Sequence, residues 1–220
     1  YTLMELLEMP LSQIHMEGIE PHYNVAPTLR LPVLVAREKQ LSLFPMTWGL
    51  LPGWAVKKGS QQRLVNARSE TALQLPTFRE SMRQRRCVII ANGFFEWQRD
   101  AKDKPLQPYY FHPQQGDWLA MAGVYQPALQ DGSPECCVLT TAPNAVMQPV
   151  HDRMPCLLSV PEITAWLQAE SAEAAAGWLR PAPESALTRV QVSSRVNSVR
   201  HDDASILLPD TWSPVQGRLF

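Results

Sequence analysis

Long hydrophobic runs are missing from this sequence. No apolar segment approaches the roughly 18 residues that a helix needs to cross a bilayer, so we predict no membrane-spanning helix. The opening residues Tyr1-Thr2-Leu3-Met4-Glu5 lack the basic and apolar regions of a secretory signal peptide. With 45% hydrophobic and 19% charged residues, the chain has enough apolar side chains for a packed core. We therefore expect one globular domain over residues 1–220.

An excess of positive or of negative charge is also missing, since 20 Lys and Arg residues nearly balance 21 Asp and Glu residues. The formal net charge is −1 at pH 7, so the molecule as a whole does not attract a polyanion. Any affinity for nucleic acid must come from a local basic patch and from rings that stack on bases. The weak net charge argues mildly against a DNA-binding protein without excluding one.

Cysteine is scarce. The four cysteines form no C-x-x-C pair and have no spacing with histidine that suits zinc. Cys87, Cys136 and Cys137 stand beside apolar runs, so buried free thiols are their ordinary interpretation. Such usage fits a reducing cytoplasm, and the residue pattern indicates no metal site and no cofactor.

Short elements, separated by many of the 20 prolines, make up the chain. Apolar runs of strand length predict strands over 32–36, 41–44, 87–91, 108–112, 118–125, 136–141 and 188–193. The first two should pair around the polar turn 37–40, and 87–91 should be a buried central strand. Helices are predicted over 3–8, 76–86, 161–170 and 172–179. The pattern predicts an α+β fold: a single domain with a curved, barrel-like, mostly antiparallel sheet flanked by a few short helices.

Two polar segments lie in the first third of the chain. In the segment 22–27, Asn24 precedes an apolar pair and Pro27, a pattern that is equally typical of a simple turn. The other segment includes Trp54, beside Gly and Pro, where an exposed ring can stack on an unpaired base. Asn66 and Arg68 stand two apart, so an extended backbone would present both on one side. An amide beside a guanidinium suits a phosphate or a sugar, and equally suits a buried polar network.

Two further segments carry groups that can move protons. Glu96 is flanked by Phe95 and Trp97, and an apolar setting raises the pKa of a carboxyl and suits it for proton transfer. An ion pair with an arginine is the competing interpretation. His151 precedes Asp152 and Arg153 after an apolar stretch, and imidazole titrates near neutral pH. A lone histidine is usually structural, but this one accompanies three other unusual segments.

Taken together and in order, these segments resemble the SRAP (SOS response-associated peptidase) family over nearly the whole chain. Each motif is weak alone, and the ordered set is specific. The residues that carry the resemblance are 23–27 (Tyr-Asn-Val-Ala-Pro), 48–49 (Trp-Gly), 66–70 (Asn-Ala-Arg-Ser-Glu), 86–87 (Arg-Cys), 93–97 (Gly-Phe-Phe-Glu-Trp), 140–142 (Thr-Thr-Ala), 151–155 (His-Asp-Arg-Met-Pro), 192–193 (Val-Ser) and 196–197 (Val-Asn).

The resemblance implies covalent chemistry on damaged DNA. Family members open with Met-Cys-Gly-Arg, and Tyr1-Thr2-Leu3 is similar to the residues that come directly after that opening, so the catalytic cysteine is expected three residues before Tyr1. Its α-amine would form a Schiff base with the aldehyde of a ring-opened abasic deoxyribose, and its thiol would close a thiazolidine. The implied partner is single-stranded DNA, or a single-strand/duplex junction, that contains an abasic site. The implied setting is a monomer in the cytoplasm, associated with the nucleoid and the replication fork.

The family's functional residues map onto this sequence one by one. By resemblance, Glu96 would position the amine and move protons, His151 would assist sugar ring opening, and Asn66 would hold the cysteine or the sugar oxygen. Arg68 and Arg153 would clamp phosphates, and Trp54 would wedge beside the unpaired base. Asn24, Pro27 and Thr140 are also predicted to contact DNA.

Two positions depart from the family pattern, and other activities stay open. Ala55 follows Trp54 where some members have a second aromatic residue, which weakens the expected wedge, and Asn92 replaces the usual Asp before Gly-Phe. One alternative is a cysteine peptidase that acts mainly on its own N-terminus. The other is a protein that binds single-stranded DNA without a covalent bond.

Overall fold

The computed structural model describes residues 5, 7–38, 40–127 and 132–209. Of the predicted helix over 3–8, residues 3, 4 and 6 lie outside these ranges, and Leu7 and Glu8 form a turn. Within them, no helix is both long enough and apolar enough to cross a membrane.

The described chain contains ten strands and five short α-helices, besides short 3-10 helices. The strands are β1 (Arg30–Arg37), β2 (Gln40–Trp48), β3 (Asn66–Arg68), β4 (Arg86–Ala91), β5 (Phe94–Arg99), β6 (Pro105–Pro113), β7 (Leu119–Gln126), β8 (Glu135–Thr141), β9 (Met154–Pro155) and β10 (Leu187–Gln191). The helices are α1 (Gly53–Lys57), α2 (Ser69–Ala72), α3 (Pro76–Gln84), α4 (Val160–Leu167) and α5 (Ala172–Ala176).

The larger sheet has seven strands and curves into a ring-like shape. Its order is β2-β1-β4-β7-β8-β3, and β9 pairs with β8. β2 also pairs with β8, with Thr47 opposite Glu135 and Trp48 opposite Cys136. The pairings are antiparallel except β2–β8 and β3–β8. The predicted α+β class with a curved, mostly antiparallel sheet is therefore confirmed.

Side chains alternate along each strand and so point to the two faces of this sheet in turn. Both faces are buried. Leu34 packs with helix residues such as Met82 and Trp166, so one face is covered by helices. Val33 and Val35 pack instead with Ile89 and other strand residues, on the concave face of the ring. Burial on both faces accounts for the continuous apolar run from which the central strand β4 was predicted.

A second sheet of three antiparallel strands, in the order β10-β6-β5, carries Glu96. Phe94 of β5 stacks on Phe111 of β6, with ring centroids 5.2 Å apart. Gly93 precedes β5 at a close approach, where a Cβ atom would lie 2.3 Å from the Phe111 carbonyl oxygen. The sequence patterns did not predict β5, because Glu96 and Gln98 interrupt its apolar residues.

The other predicted elements are confirmed with shifted ends. The helix predicted over 76–86 ends at Gln84, since Arg86 already begins β4. The Arg86 guanidinium donates hydrogen bonds to carbonyl oxygens of Met82 and Trp166, which joins α3 to α4. The last two helices are shorter than predicted, and α5 ends before Gly177.

Candidate functional site

A carboxylate and an imidazole from different elements meet at the centre of the candidate site. Oε1 of Glu96, on β5, lies 3.8 Å from Nε2 of His151, in the loop before β9. The two side chains are 26% and 27% exposed, so each is mostly buried yet reachable from solvent. An open cleft of about 440 Å³ adjoins His151 and is lined by Arg99 and Asp152 among others. The structure thus brings together two residues that are 55 positions apart in the sequence.

Hydrogen bonds to its other nitrogen orient the His151 ring. The Arg153 backbone N–H donates to Nδ1 over 3.0 Å, while the Arg153 carbonyl oxygen lies 3.2 Å from the same nitrogen. The shorter contact comes from a backbone amide, which can only donate, so it favours a neutral ring in which Nδ1 accepts and Nε2 carries the proton on the side of Glu96. In the protonated ring, Nδ1–H has acceptors in that carbonyl and in the Asp152 carboxylate 3.4 Å away.

Glu96 lies in surroundings that disfavour its charge. Burial raises the pKa of this carboxyl, and the nearby His151 and the Trp97 backbone N–H lower it only in part. The competing interpretation, a direct ion pair with an arginine, is absent among the described residues, in which the ion-pair partner of Glu96 is His151. A carboxyl of raised pKa is suited to giving and taking a proton near neutral pH.

Arg153 is held by protein groups on one side of this pair. Its Nη1 and Nη2 atoms donate to the two carboxylate oxygens of Glu70 over 2.8 and 2.7 Å, and Nη2 also donates to the Thr140 carbonyl oxygen. This pairing lowers the pKa of Glu70 and raises that of Arg153, so both stay charged. Arg153 was predicted to bind a phosphate, but its guanidinium is already bonded to Glu70 and Thr140.

Asn66 and Arg68 lie on β3, at the edge of the larger sheet. Both side chains are exposed and the intervening Ala67 is buried, so they face the same side, as predicted. Arg68 is in register with Thr140, which places it next to the Glu70–Arg153 pair. Among the described residues neither Asn66 nor Arg68 has a side-chain hydrogen bond or an ion-pair partner, so both can receive a ligand.

Trp54 is presented by the short helix α1 and is 41% exposed, in agreement with its predicted accessibility. Lys58 places its Nζ atom 5.9 Å from the indole ring. A buried network holds the preceding turn, since Glu135 accepts from the Leu51 backbone N–H and from Arg63 Nη1. Trp48, by contrast, lies in β2 and packs against the core.

Two predicted DNA contacts receive a different explanation from the structure. Asn24 is buried, and its side-chain amide donates to the carbonyl oxygens of Val196, Ser198 and His201. The Thr140 side chain is also buried, and its hydroxyl donates to the Ala67 carbonyl oxygen. Because these groups bond within the protein, we no longer expect direct DNA contacts from them. Pro27 is exposed at the end of the Asn24 loop and stays a candidate.

Two carboxylates that bind motif residues in the structure had no predicted role. Glu70 belongs to the motif 66–70, but its pairing with Arg153, 83 positions away, has no local signal. Asp202 accepts from the Tyr23 and Asn24 backbone N–H groups and lies 2.5 Å from His22 Nδ1. It thus clasps the loop that contains Asn24.

The four internal cysteines are buried and free, as predicted for Cys87, Cys136 and Cys137. Burial raises the pKa of Cys137 and of Cys156 to about 12 and that of Cys87 well above its usual range. These thiols are therefore protonated and inert at neutral pH. Within the described residues no group of three histidine, cysteine, aspartate or glutamate side chains could hold a metal ion.

Comparisons with known proteins find relatives over most of the chain. The chain is 32% identical over 204 residues to the abasic site processing protein YoqW of Bacillus subtilis, covering 90% of each chain. It is 30% identical over 194 residues to the abasic site processing protein YedK of Escherichia coli, covering 85% of this chain and 84% of that protein. A crystal structure of a Bacteroides thetaiotaomicron protein shares the fold, with a TM-score of 0.73 at 21% identity over 94% of this chain and 95% of the other.

The family model named SOS response associated peptidase (SRAP) matches residues 3–199, which include every candidate residue of the site. The chain therefore belongs to the SRAP family.

Proposed function

We propose that this chain processes abasic sites in DNA by forming a covalent thiazolidine crosslink through an N-terminal cysteine that precedes Tyr1. The observation that carries the proposal is the Glu96–His151 pair, in which a carboxyl of raised pKa lies 3.8 Å from Nε2 of an imidazole that the Arg153 backbone orients. The names of the relatives support the same substrate, since YoqW and YedK are both abasic site processing proteins.

The chemistry asks these two residues to move protons. The α-amine adds to the C1′ aldehyde of the opened sugar to give a carbinolamine, and Glu96 donates the proton with which the hydroxyl leaves as water. The thiol then adds to the carbon of this protonated Schiff base, and the thiol proton returns to the Glu96 carboxylate as the ring closes. His151 assists the earlier opening of the sugar: Nε2–H gives its proton to the ring oxygen as the C1′–O4′ bond breaks, and the proton lost by the anomeric hydroxyl returns to Nε2. The balance is one aldehyde and one aminothiol giving one thiazolidine and one water.

DNA contacts are assigned to groups that the protein leaves accessible. Arg68 binds a phosphate and Asn66 holds the sugar oxygen or the cysteine, from one side of β3. Trp54 stacks on an unpaired base, which favours single strands and single-strand/duplex junctions. Such DNA is exposed at replication forks, so we propose a monomer that acts there, in the cytoplasm close to the nucleoid.

The test is an adduct that survives denaturation. Protein bearing the N-terminal cysteine is incubated with single-stranded DNA that contains one abasic site and is run on a denaturing gel. We expect a shifted band in the wild type and slower formation, by about 10²-fold, in Glu96→Gln, at nearly unchanged DNA affinity. Glu173→Gln, at an exposed position on α5, is the matched control and should behave as wild type.

Other outcomes decide among the alternatives. No shifted band with wild-type protein whose N-terminal cysteine is verified by intact mass would refute the crosslinking proposal. Retained binding in a native gel would then indicate a non-covalent single-strand binder. Removal of the initiator methionine without any DNA adduct would favour the peptidase. Equal adduct rates for wild type and Glu96→Gln would remove Glu96 from the mechanism.

A further inference from the structure

The Glu70–Arg153 ion pair occupies the side-chain donors with which Arg153 would otherwise bind a phosphate. Both terminal nitrogens of Arg153 are bonded to Glu70, and Nη2 is shared with the Thr140 carbonyl oxygen. Its Nε atom is buried without a partner among the described residues, so no free pair of donors remains for a phosphate. The side chain is 19% exposed, whereas Glu70 is 50% exposed.

The backbone of the same arginine orients the imidazole of the site. The Arg153 N–H lies 3.0 Å and the Arg153 carbonyl oxygen 3.2 Å from His151 Nδ1. A neutral ring that accepts the shorter bond carries its proton on Nε2, on the side of Glu96. The loop 151–153 has no helix or strand of its own to set that geometry. The guanidinium of Arg153, tied to α2 through Glu70 and to β8 through Thr140, anchors the loop to the sheet.

We propose that Glu70 is a positioning residue for His151: by holding Arg153 it keeps the Arg153 N–H on Nδ1 and so keeps the imidazole in the tautomer that presents Nε2–H to Glu96. This role rests on the proposed function in one respect, namely that His151 acts on the abasic sugar. Neither Glu70 nor the Arg153 side chain touches the reacting atoms in this scheme.

The direct test reads the His151 tautomer by NMR in protein without DNA. The two ring nitrogens of His151 are assigned by nitrogen-15 correlation at about pH 8.5, where imidazole is neutral. We expect the wild type to show the Nε2–H tautomer, and Glu70→Gln to show a mixture with Nδ1–H, because an amide NH₂ cannot accept from Arg153. Arg153→Lys, which keeps the charge but loses the two-pronged contact, should shift in the same direction.

Kinetics and binding give the second readout. Glu70→Gln should slow adduct formation about tenfold, part of the roughly 10²- to 10⁴-fold that general acid–base catalysis contributes, with unchanged DNA affinity. Glu70→Asp, which keeps the carboxylate, should recover part of the rate. Glu162→Gln breaks another arginine–glutamate pair, with Arg180, and is the control for merely losing an ion pair.

Three results would overturn the proposal. One is a His151 ring whose nitrogen shifts are the same in wild type, Glu70→Gln and Arg153→Lys. Another is tighter DNA binding with a steeper salt dependence in Glu70→Gln, because Glu70 would then be competing with a phosphate for Arg153. The third is an equal loss of rate in Glu162→Gln. Since the nitrogen shifts are measured without DNA, failure of the crosslinking proposal would not disturb the tautomer result.

Discussion

The fold stabilises the charged forms of Glu70 and Arg153 but disfavours the charged form of Glu96. Burial raises the pKa of its carboxyl above the ordinary 4.5, so the folded state binds this proton more tightly than the unfolded chain does. The contribution of Glu96 to stability is therefore fully present below pH 4.5 and is lost as the pH rises through the folded-state pKa. At neutral pH the folded protein therefore lacks this contribution to stability. Such a loss is expected of a residue kept for proton transfer rather than for stability.

Glu96→Gln should accordingly be more stable than the wild type at pH 7. The difference should vanish at about pH 4, because the carboxyl is then largely protonated in both folded and unfolded states. Urea unfolding at the two pH values measures the change. A variant that is less stable than the wild type at pH 7 would show that the carboxylate is held by favourable partners, against the assignment of burial as the dominant effect.

Arg68 and Arg79 offer a comparison between an arginine of the site and one outside it. Arg68→Ala should weaken binding to single-stranded DNA and reduce the slope of log Kd against log salt concentration by about 0.7 to 1, the share of one phosphate contact. Arg79→Ala, at an exposed position on α3, should leave the slope unchanged. Equal slopes in wild type and Arg68→Ala would exclude the phosphate contact.

Elements were predictable where their pattern is local. A strand buried on both faces, such as β4, gives a continuous apolar run, and Pro76 marks the start of α3. β5 was not predicted, because it combines aromatic residues with Glu96 and Gln98 and its pairing is with β6. The candidate residues on β3 and β5 could be named from the sequence. Which of them meet could not, since Glu96 and His151 are joined only by tertiary packing.

Gly93 tests how tightly β5 is packed at its start. A Cβ atom there would lie 2.3 Å from the Phe111 carbonyl oxygen and 2.5 Å from the Tyr110 ring, so Gly93→Ala should destabilise the fold by about 1–3 kcal/mol. Gly53→Ala is the matched control, because nothing lies within 4 Å of its Cβ position. Thermal unfolding of both variants checks this, and equal stabilities would contradict the close packing.

The molecule as a whole leaves its described thiols unreactive. Burial raises the pKa of Cys137 and of Cys156 to about 12, so these thiols stay protonated at pH 8. Iodoacetamide at that pH should leave all four internal cysteines unmodified in the folded protein and modify all four in urea, as read by intact mass. Rapid labelling of any of them in the folded state would reopen the question of an internal nucleophile.

The contacts of Asp202 with His22 and Asn24 affect when the loop that begins at His22 can become ordered during synthesis. Its partners are separated by as many as 180 positions, and ribosomes add about 5–20 residues per second. The loop that begins at His22 therefore waits about 10–40 s for Asp202 to be made, and its backbone amides bond to water until then. Since a contact of such long sequence separation closes a loop of nearly the entire chain, the ordering of this loop belongs to the last stage of folding.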